Sequence, residues 1–230
     1  MKTLMKVLPL TVALLTASAM AADSDHTVSA NIAVTSNYVW RGVTQTDDSA
    51  AVSGGIDYER ASGFYAGVWS SNVDFGETGA ETDLYLGYGG GSGDFSYGVG
   101  YVYYYYSGFD DVNFGEVTVD VSWKWLSAGV AYTANNEDAN DSVGFEEGDV
   151  FGYLSVSGDL GEDWGASATD GYSDFDSDGT AGALESYGYW QVDVTKAVGD
   201  FGDFTWSLIK ADDESGDDDS KIVVGWSKSF

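Results

Sequence analysis

The chain of 230 residues carries 38 Asp and Glu against 9 Lys and Arg, a formal charge of −29, with 31 Gly, one Pro and no Cys. The absence of Cys excludes a disulfide scaffold, a Cys-ligated zinc site and thiol catalysis, and the acidity excludes a nucleic-acid binder, which needs a basic footprint on phosphate. Aromatic residues at 15% exclude an acidic disordered chain, and a Pro-poor sequence rich in Gly, Tyr, Trp, Val and Ser predicts extensive β-structure.

Residues 1–21 read as an export signal. Lys2 and Lys6 precede an apolar run, Val7 to Thr16, and Ala19-Met20-Ala21 is a small-x-small cleavage signal. A membrane-anchoring helix is the alternative, but the uncharged run closes at Asp23, which is short for a span. Residues 22–230 are then one exported domain, either a membrane β-barrel or a soluble β-protein.

Alternation of apolar and polar residues runs through that domain. From Val28 to Trp40 one face carries Val28, Ala30, Ile32, Val34, Ser36, Tyr38 and Trp40, the other Ser29, Asn31, Ala33, Thr35 and Asn37. From Phe95 to Tyr105 the aromatic and Val positions oppose Ser96, Gly98 and Gly100; Val117, Val119, Val121 and Trp123 oppose Thr118, Asp120 and Ser122. Each pattern is a strand with two unlike faces. Twelve segments are expected: 27–41, 50–60, 63–73, 81–90, 95–106, 114–124, 126–134, 149–158, 164–174, 187–195, 203–211 and 221–230. Counts of ten or fourteen remain open. Many segments have the ~9–11 residues of a tilted membrane-crossing strand.

The connections alternate between short turns, such as Ala61-Ser62 and Gly91–Asp94, and longer, mostly acidic loops: Gly42–Ser49, Asp74–Ala80, Ser107–Asn113, Asn135–Gly148, Phe175–Ser186 and Asp212–Ser220. That predicts an all-β, antiparallel transmembrane barrel with short periplasmic turns and long acidic extracellular loops. All eight Trp fall at strand positions, many near segment ends, as in interfacial aromatic girdles. Ile222, Val224, Trp226 and Phe230 share a face of the last strand, interrupted by Lys228. A terminal aromatic strand resembles the signal read by the barrel-assembly machinery, so that machinery and outer-membrane lipids are the expected partners.

Four stretches resemble one family: Ser36–Tyr58 (SNYVWRGVTQTDDSAAVSGGIDY), Ala61–Gly76 (ASGFYAGVWSSNVDFG), Asp94–Tyr106 (DFSYGVGYVYYYY) and Trp226–Phe230 (WSKSF). They are similar to the TorF family of bacterial outer-membrane proteins, which is described as porin-like. The resemblance implies a single barrel in the cell outer membrane and a porin-like role.

Nothing in the sequence supports an enzyme. His26 is the one His and precedes the first expected strand, without the held geometry of a catalytic base. Alternation points Asp57, Asp83, Asp120 and Asp193 into the lumen, with Arg41, Arg60 and Lys124 as the nearest bases. The expected pore lining is therefore Asp57, Asp83, Asp120 and Asp193 with Arg41 and Lys124, in a channel for passive diffusion of small cationic or neutral solutes. The alternative is a closed structural barrel whose acidic loops bind divalent cations or lipid headgroups. No cofactor is required, but Asp174, Asp176, Asp178, Thr180 and Glu185 match the D-x-D-x-D-G-x5-E spacing of a calcium loop. Strands rather than helices flank it, and a solvated acidic loop is the competing interpretation.

Overall fold

The computed structural model describes residues 25–109, 112–137, 145–176 and 185–230. The segment expected to be an export signal, residues 1–21, lies outside the described residues. Among the described residues fourteen strands follow in chain order: β1 (His26–Thr35), β2 (Val39–Trp40), β3 (Val43–Thr44), β4 (Ala51–Arg60), β5 (Phe64–Asp74), β6 (Thr78–Ser92), β7 (Phe95–Ser107), β8 (Phe114–Trp123), β9 (Leu126–Asn136), β10 (Val150–Gly161), β11 (Trp164–Asp174), β12 (Tyr187–Ala197), β13 (Asp203–Ala211) and β14 (Lys221–Ser229).

Twelve of them form one closed antiparallel barrel, each strand beside its sequence neighbour; β2 and β3 form a separate hairpin. β1 closes the ring. It pairs with β4 from His26↔Arg60 to Thr35↔Ala51 and with β14 from Asn31↔Ser229 to Thr35↔Gly225. Closure removes the free sheet edges that would otherwise invite aggregation or remain unsatisfied in lipid.

The period-2 pattern sorts cleanly between outside and inside. Ile56, Leu84, Leu86, Val119, Val130, Leu154, Val192, Leu208 and Ile222 are exposed on the outer surface, whereas Asp57, Asp120, Ser155, Ser167, Thr169, Gln191 and Asp193 alternate with them on the inner one. An exposed apolar band around a polar interior is stable only where the outer solvent is hydrocarbon. Bulky rings are fitted beside glycines on neighbouring strands. A Cβ on Gly67 would meet the Tyr85 ring at 2.5 Å, so that ring lies flat across a position only Gly leaves open.

Trp123, Trp164, Trp206 and Trp226 face outward near the short-turn rim, with Phe204 and Phe201 beside Trp206 and Trp226. Three Trp depart from the girdle expectation. Trp125 sits in the turn after β8, Trp69 points into the lumen against Tyr38, and Trp40 is carried inside the barrel on β2. Lys228 explains the interrupted face of β14: its ammonium reaches the carbonyl of Asp200 at the short-turn rim and lies 5.7 Å from the Phe230 ring. A long stem across apolar surface with the charge at the rim is how Lys is tolerated there.

Two boundaries differ from expectation. β1 ends at Thr35 rather than continuing to residue 41, and the segment 36–50 turns into the barrel. The second long connection is only residues 75–77, because β5 and β6 continue past the point where alternation is readable.

Candidate functional site: the lumen and its inward hairpin

The segment between β1 and β4 leaves the wall at Ser36, whose backbone N–H donates to the Val224 carbonyl at 2.9 Å and whose hydroxyl accepts from Val224 N–H at 3.0 Å. Asn37 then organises the base. Its Nδ2 donates to Asp48 at 2.7 Å, and its Oδ1 accepts from Thr44 and Thr46 hydroxyls at 2.7 and 3.1 Å. Asp217 accepts from Thr44 N–H at 2.8 Å, and Lys221 bridges Asp217 and Asp48 at 2.5 and 3.3 Å. Each bond satisfies a group that would otherwise be orphaned as the chain leaves the sheet.

At the hairpin tip Arg41 and Gly42 both have positive φ, 48° and 89°. Two left-handed residues between β2 and β3 make the tight two-residue turn for which Asn-Gly or Gly-Gly is the usual sequence. Gly42 is required here on two counts: its φ, and a built Cβ that would meet Tyr189 Cβ at 2.6 Å. The tip is thus seated against β12 and β13. Val39 joins a buried cluster with Phe151, Tyr189, Ile209 and Val223, and Trp40 joins another with Tyr104 and Phe114.

Arg41 is fixed by charge as well as packing. Its two terminal nitrogens donate to the two oxygens of Glu116 at 2.8 and 2.7 Å, with side chains 6% and 1% exposed. Tyr104 donates a further bond of 3.0 Å to Glu116. The Arg41 carbon Cζ lies 4.0 Å from the Trp40 ring centroid and 4.1 Å from that of Phe151. Nearby, Tyr38 donates to Glu81 at 2.9 Å, and Asp83 follows two residues along the same inner face, its Oδ1 buried and without a hydrogen-bond partner among the described residues. Bidentate Arg–carboxylate geometry is strong and directional, and enclosure away from water strengthens it further.

The interior therefore has two halves. Toward the long loops, the hairpin and inward side chains such as Tyr106, Phe114, Phe151 and Tyr187 are buried together. Toward the short turns, Asn31, Asp57, Tyr65, Tyr85, Asp120, Tyr153, Thr195 and Thr205 are only part-buried and line a water-accessible vestibule. There Asp57 accepts from Tyr85 and from Asn31 at 3.3 Å, and Asp120 from Tyr153 at 2.8 Å.

The four aspartates expected to line the lumen all point inward, but they are not alike. Asp57 and Asp120 face the vestibule. Asp193 is 3% exposed and enclosed by Gln191 at 2.8 Å, Ser207 at 2.6 Å and Ser167 at 3.0 Å. Asp83 stands with Glu81 beneath the hairpin. Arg41 is inside the barrel, on the hairpin rather than the wall. Lys124 does not line the lumen: it occupies the turn after β8 at φ 57°, about half exposed and 3.9 Å from Asp94 of the adjacent turn. Turn residues at the rim leave the alternation that assigns faces, so the period could not place it.

Glu81 and Glu116 were not singled out from the sequence, although the alternation that assigns Asp83 and Asp120 inward applies to both. Of the calcium-loop residues, Asp178 and Thr180 lie outside the described residues. Asp174 accepts from Ser186 at 3.3 Å, the Asp176 N–H donates to Asp149 at 2.8 Å, and Glu185 is exposed.

Residues 19–219 match the model of a family described as "Bacterial protein of unknown function (Gcw_chp)". No curated protein sequence matches. Among solved structures the chain is similar to one described as "KdgM porin", with a TM-score of 0.61 at 12% identity over 88% of this chain and 99% of that one. A second, from work on in-meso crystallization of membrane proteins, gives 0.53 at 8% identity over 88% of this chain and 83% of that one. The outer membrane protein OprD from Pseudomonas aeruginosa gives 0.43 at 12% identity over 83% of this chain and 61% of that one. For the first two, at these identities, the likeness is one of fold.

Proposed function

The chain belongs to the bacterial family Gcw_chp, and we propose that it serves as a porin-like channel of the outer membrane for passive diffusion of small cationic or neutral solutes. The observation that carries this is the combination of an apolar outer band with an acidic, part-hydrated inner wall. A closed barrel of twelve strands lies between filled eight-stranded barrels and wide sixteen-stranded porins, so its bore is set by what lies inside it. Here that is the 36–50 hairpin. Asp57 and Asp120 supply negative potential in the vestibule, which enriches cations and repels anions. The fold shared with the KdgM porin and the stretches resembling TorF-family porins support the same reading.

The filled outer half favours a second reading, a barrel that stays closed and works through its acidic loops. Conductance of the refolded protein in a planar bilayer under a KCl gradient separates the two. Unitary steps with a cation-selective reversal potential support the channel; a correctly inserted, silent barrel overturns it. The recording is made with and without Ca²⁺. A change in the steps specific to Ca²⁺ and lost in Asp174→Asn supports a metal site in the 174–185 loop.

A further inference from the structure

The surroundings of Arg41 are those of a recognition site for a planar cation. Glu116 presents both oxygens to the two terminal nitrogens, the Trp40 and Phe151 rings lie 4.0 and 4.1 Å from the central carbon, and the Phe145 ring centroid is 5.9 Å away. Aromatic faces with a two-toothed carboxylate select guanidinium over ammonium, which is neither planar nor forked. Phe151, Glu116 and Tyr104 belong to the wall; Arg41 is brought to them on a hairpin that is not part of the barrel sheet. The residue is also an unfavourable choice for the backbone it occupies. At φ 48° in a two-residue turn, Gly or Asn is the relaxed occupant, so Arg is there for its side chain at a cost in local strain.

We propose that Glu116, Phe151 and Tyr104, with Trp40, form a binding site for solutes bearing a guanidinium group, and that Arg41 occupies it as a tethered internal ligand. This rests on the channel reading and names its solute class. A guanidinium solute reaching Glu116, Phe151 and Tyr104 competes with Arg41, releases the hairpin tip, and Trp40 with it, from the wall, and widens the path it will use. Tethering gives Arg41 an effective concentration in the millimolar range or above, so the free solute competes weakly against wild type and strongly once Arg41 is removed. Lysine-like solutes carry the charge without the fork and gain little. The two carboxylates beyond the hairpin, Glu81 and Asp83, continue the same acidic face and give a displaced cation its next contact.

The test uses full-length refolded protein and methylguanidinium as the probe, with methylammonium and urea as charge-only and shape-only controls. In detergent micelles, calorimetry and Trp fluorescence are expected to show Arg41→Ala binding methylguanidinium at least about tenfold more tightly than wild type and than it binds methylammonium. Arg41→Ala combined with Glu116→Gln abolishes that gain. Equal binding of methylguanidinium by Arg41→Ala and wild type, or no preference over methylammonium, overturns the proposal. Should Arg41→Ala fail to fold, amide exchange on wild type decides. Methylguanidinium, and neither control, must speed exchange at Tyr38 and Gln45 of the hairpin base while barrel amides hold; unchanged rates overturn it. Binding is read without current. A silent barrel that passes the binding test refutes the channel alone, and a conducting barrel that fails it refutes the guanidinium site alone.

Discussion

Arg41 and Glu116 lie 75 positions apart in the chain and meet inside the barrel through two bonds of 2.8 and 2.7 Å. One stands on a hairpin that has left the wall, the other on the wall. Removing either leaves a charge in an enclosed site, at a cost of about 3–5 kcal/mol for a buried pair. Arg41→Ala and Glu116→Ala are each expected to lower the unfolding midpoint in detergent. The double variant is expected to fall short of their sum by more than about 1 kcal/mol, because the second deletion removes the charge that the first strands. Strict additivity would contradict a direct coupling.

The vestibule and the enclosed wall make different predictions for three aspartates. Asp57→Asn and Asp120→Asn are each expected to lower the K⁺ to Cl⁻ permeability ratio by about twofold or more, since both carboxylates face part-hydrated space. Asp193→Asn is expected to leave the ratio near wild type, because Gln191, Ser167 and Ser207 already surround that carboxylate. Reversal potentials under a KCl gradient check all three.

Leu154 lies 52% exposed on the outer face of β10. Leu154→Arg is expected to cost about 2–4 kcal/mol in vesicle-based unfolding, the range for a basic residue at mid-depth facing lipid. Thr118→Arg, which places the same side chain on the inner face within β8, is the control and should cost far less. Equal costs would mean that the outer band does not face hydrocarbon.

Glu137 closes the end of β9 against the preceding long loop. Tyr103 donates to it at 2.5 Å and Asn113 at 2.7 Å, and those two bonds hold its carboxyl below the usual carboxylate range. A depressed carboxylate adds stability that is present above its unfolded pKa of about 4.3 and lost as pH falls through the lower folded value. Amide exchange at Glu137, whose N–H donates to the Asn113 carbonyl at 2.9 Å, is expected to quicken as pH is lowered through that window beyond the intrinsic pH trend. Glu137→Gln should remove the extra step.

Most of the barrel was legible because alternation and turn spacing report the same thing twice. β11 and β13 fall on their expected limits, and β4, β5, β7, β8 and β14 are within one residue of theirs. β1 misled for a physical reason. Tyr38 and Trp40 continue the apolar alternation of Val28 to Val34, but they bury against protein rather than lipid, and a period cannot distinguish the two. The available signals were chemical. Asn37 can cap a departing chain, and Arg41-Gly42 occupies the place of a tight-turn dipeptide. Depth was equally invisible: Asp193 and Asp120 follow the same pattern, and only the three-dimensional closure separates an enclosed carboxylate from a hydrated one.

The most direct test of the account compares single-channel currents of wild type and Glu116→Gln in the same bilayer and KCl gradient, with folding of both checked by heat-dependent gel mobility. A channel narrowed by a hairpin clamped through Arg41 predicts small cation-selective steps for wild type. Glu116→Gln, with the clamp released, is expected to show a clearly larger conductance or open fraction. Identical currents in the two proteins would contradict the constriction, and silence in both would contradict the channel itself.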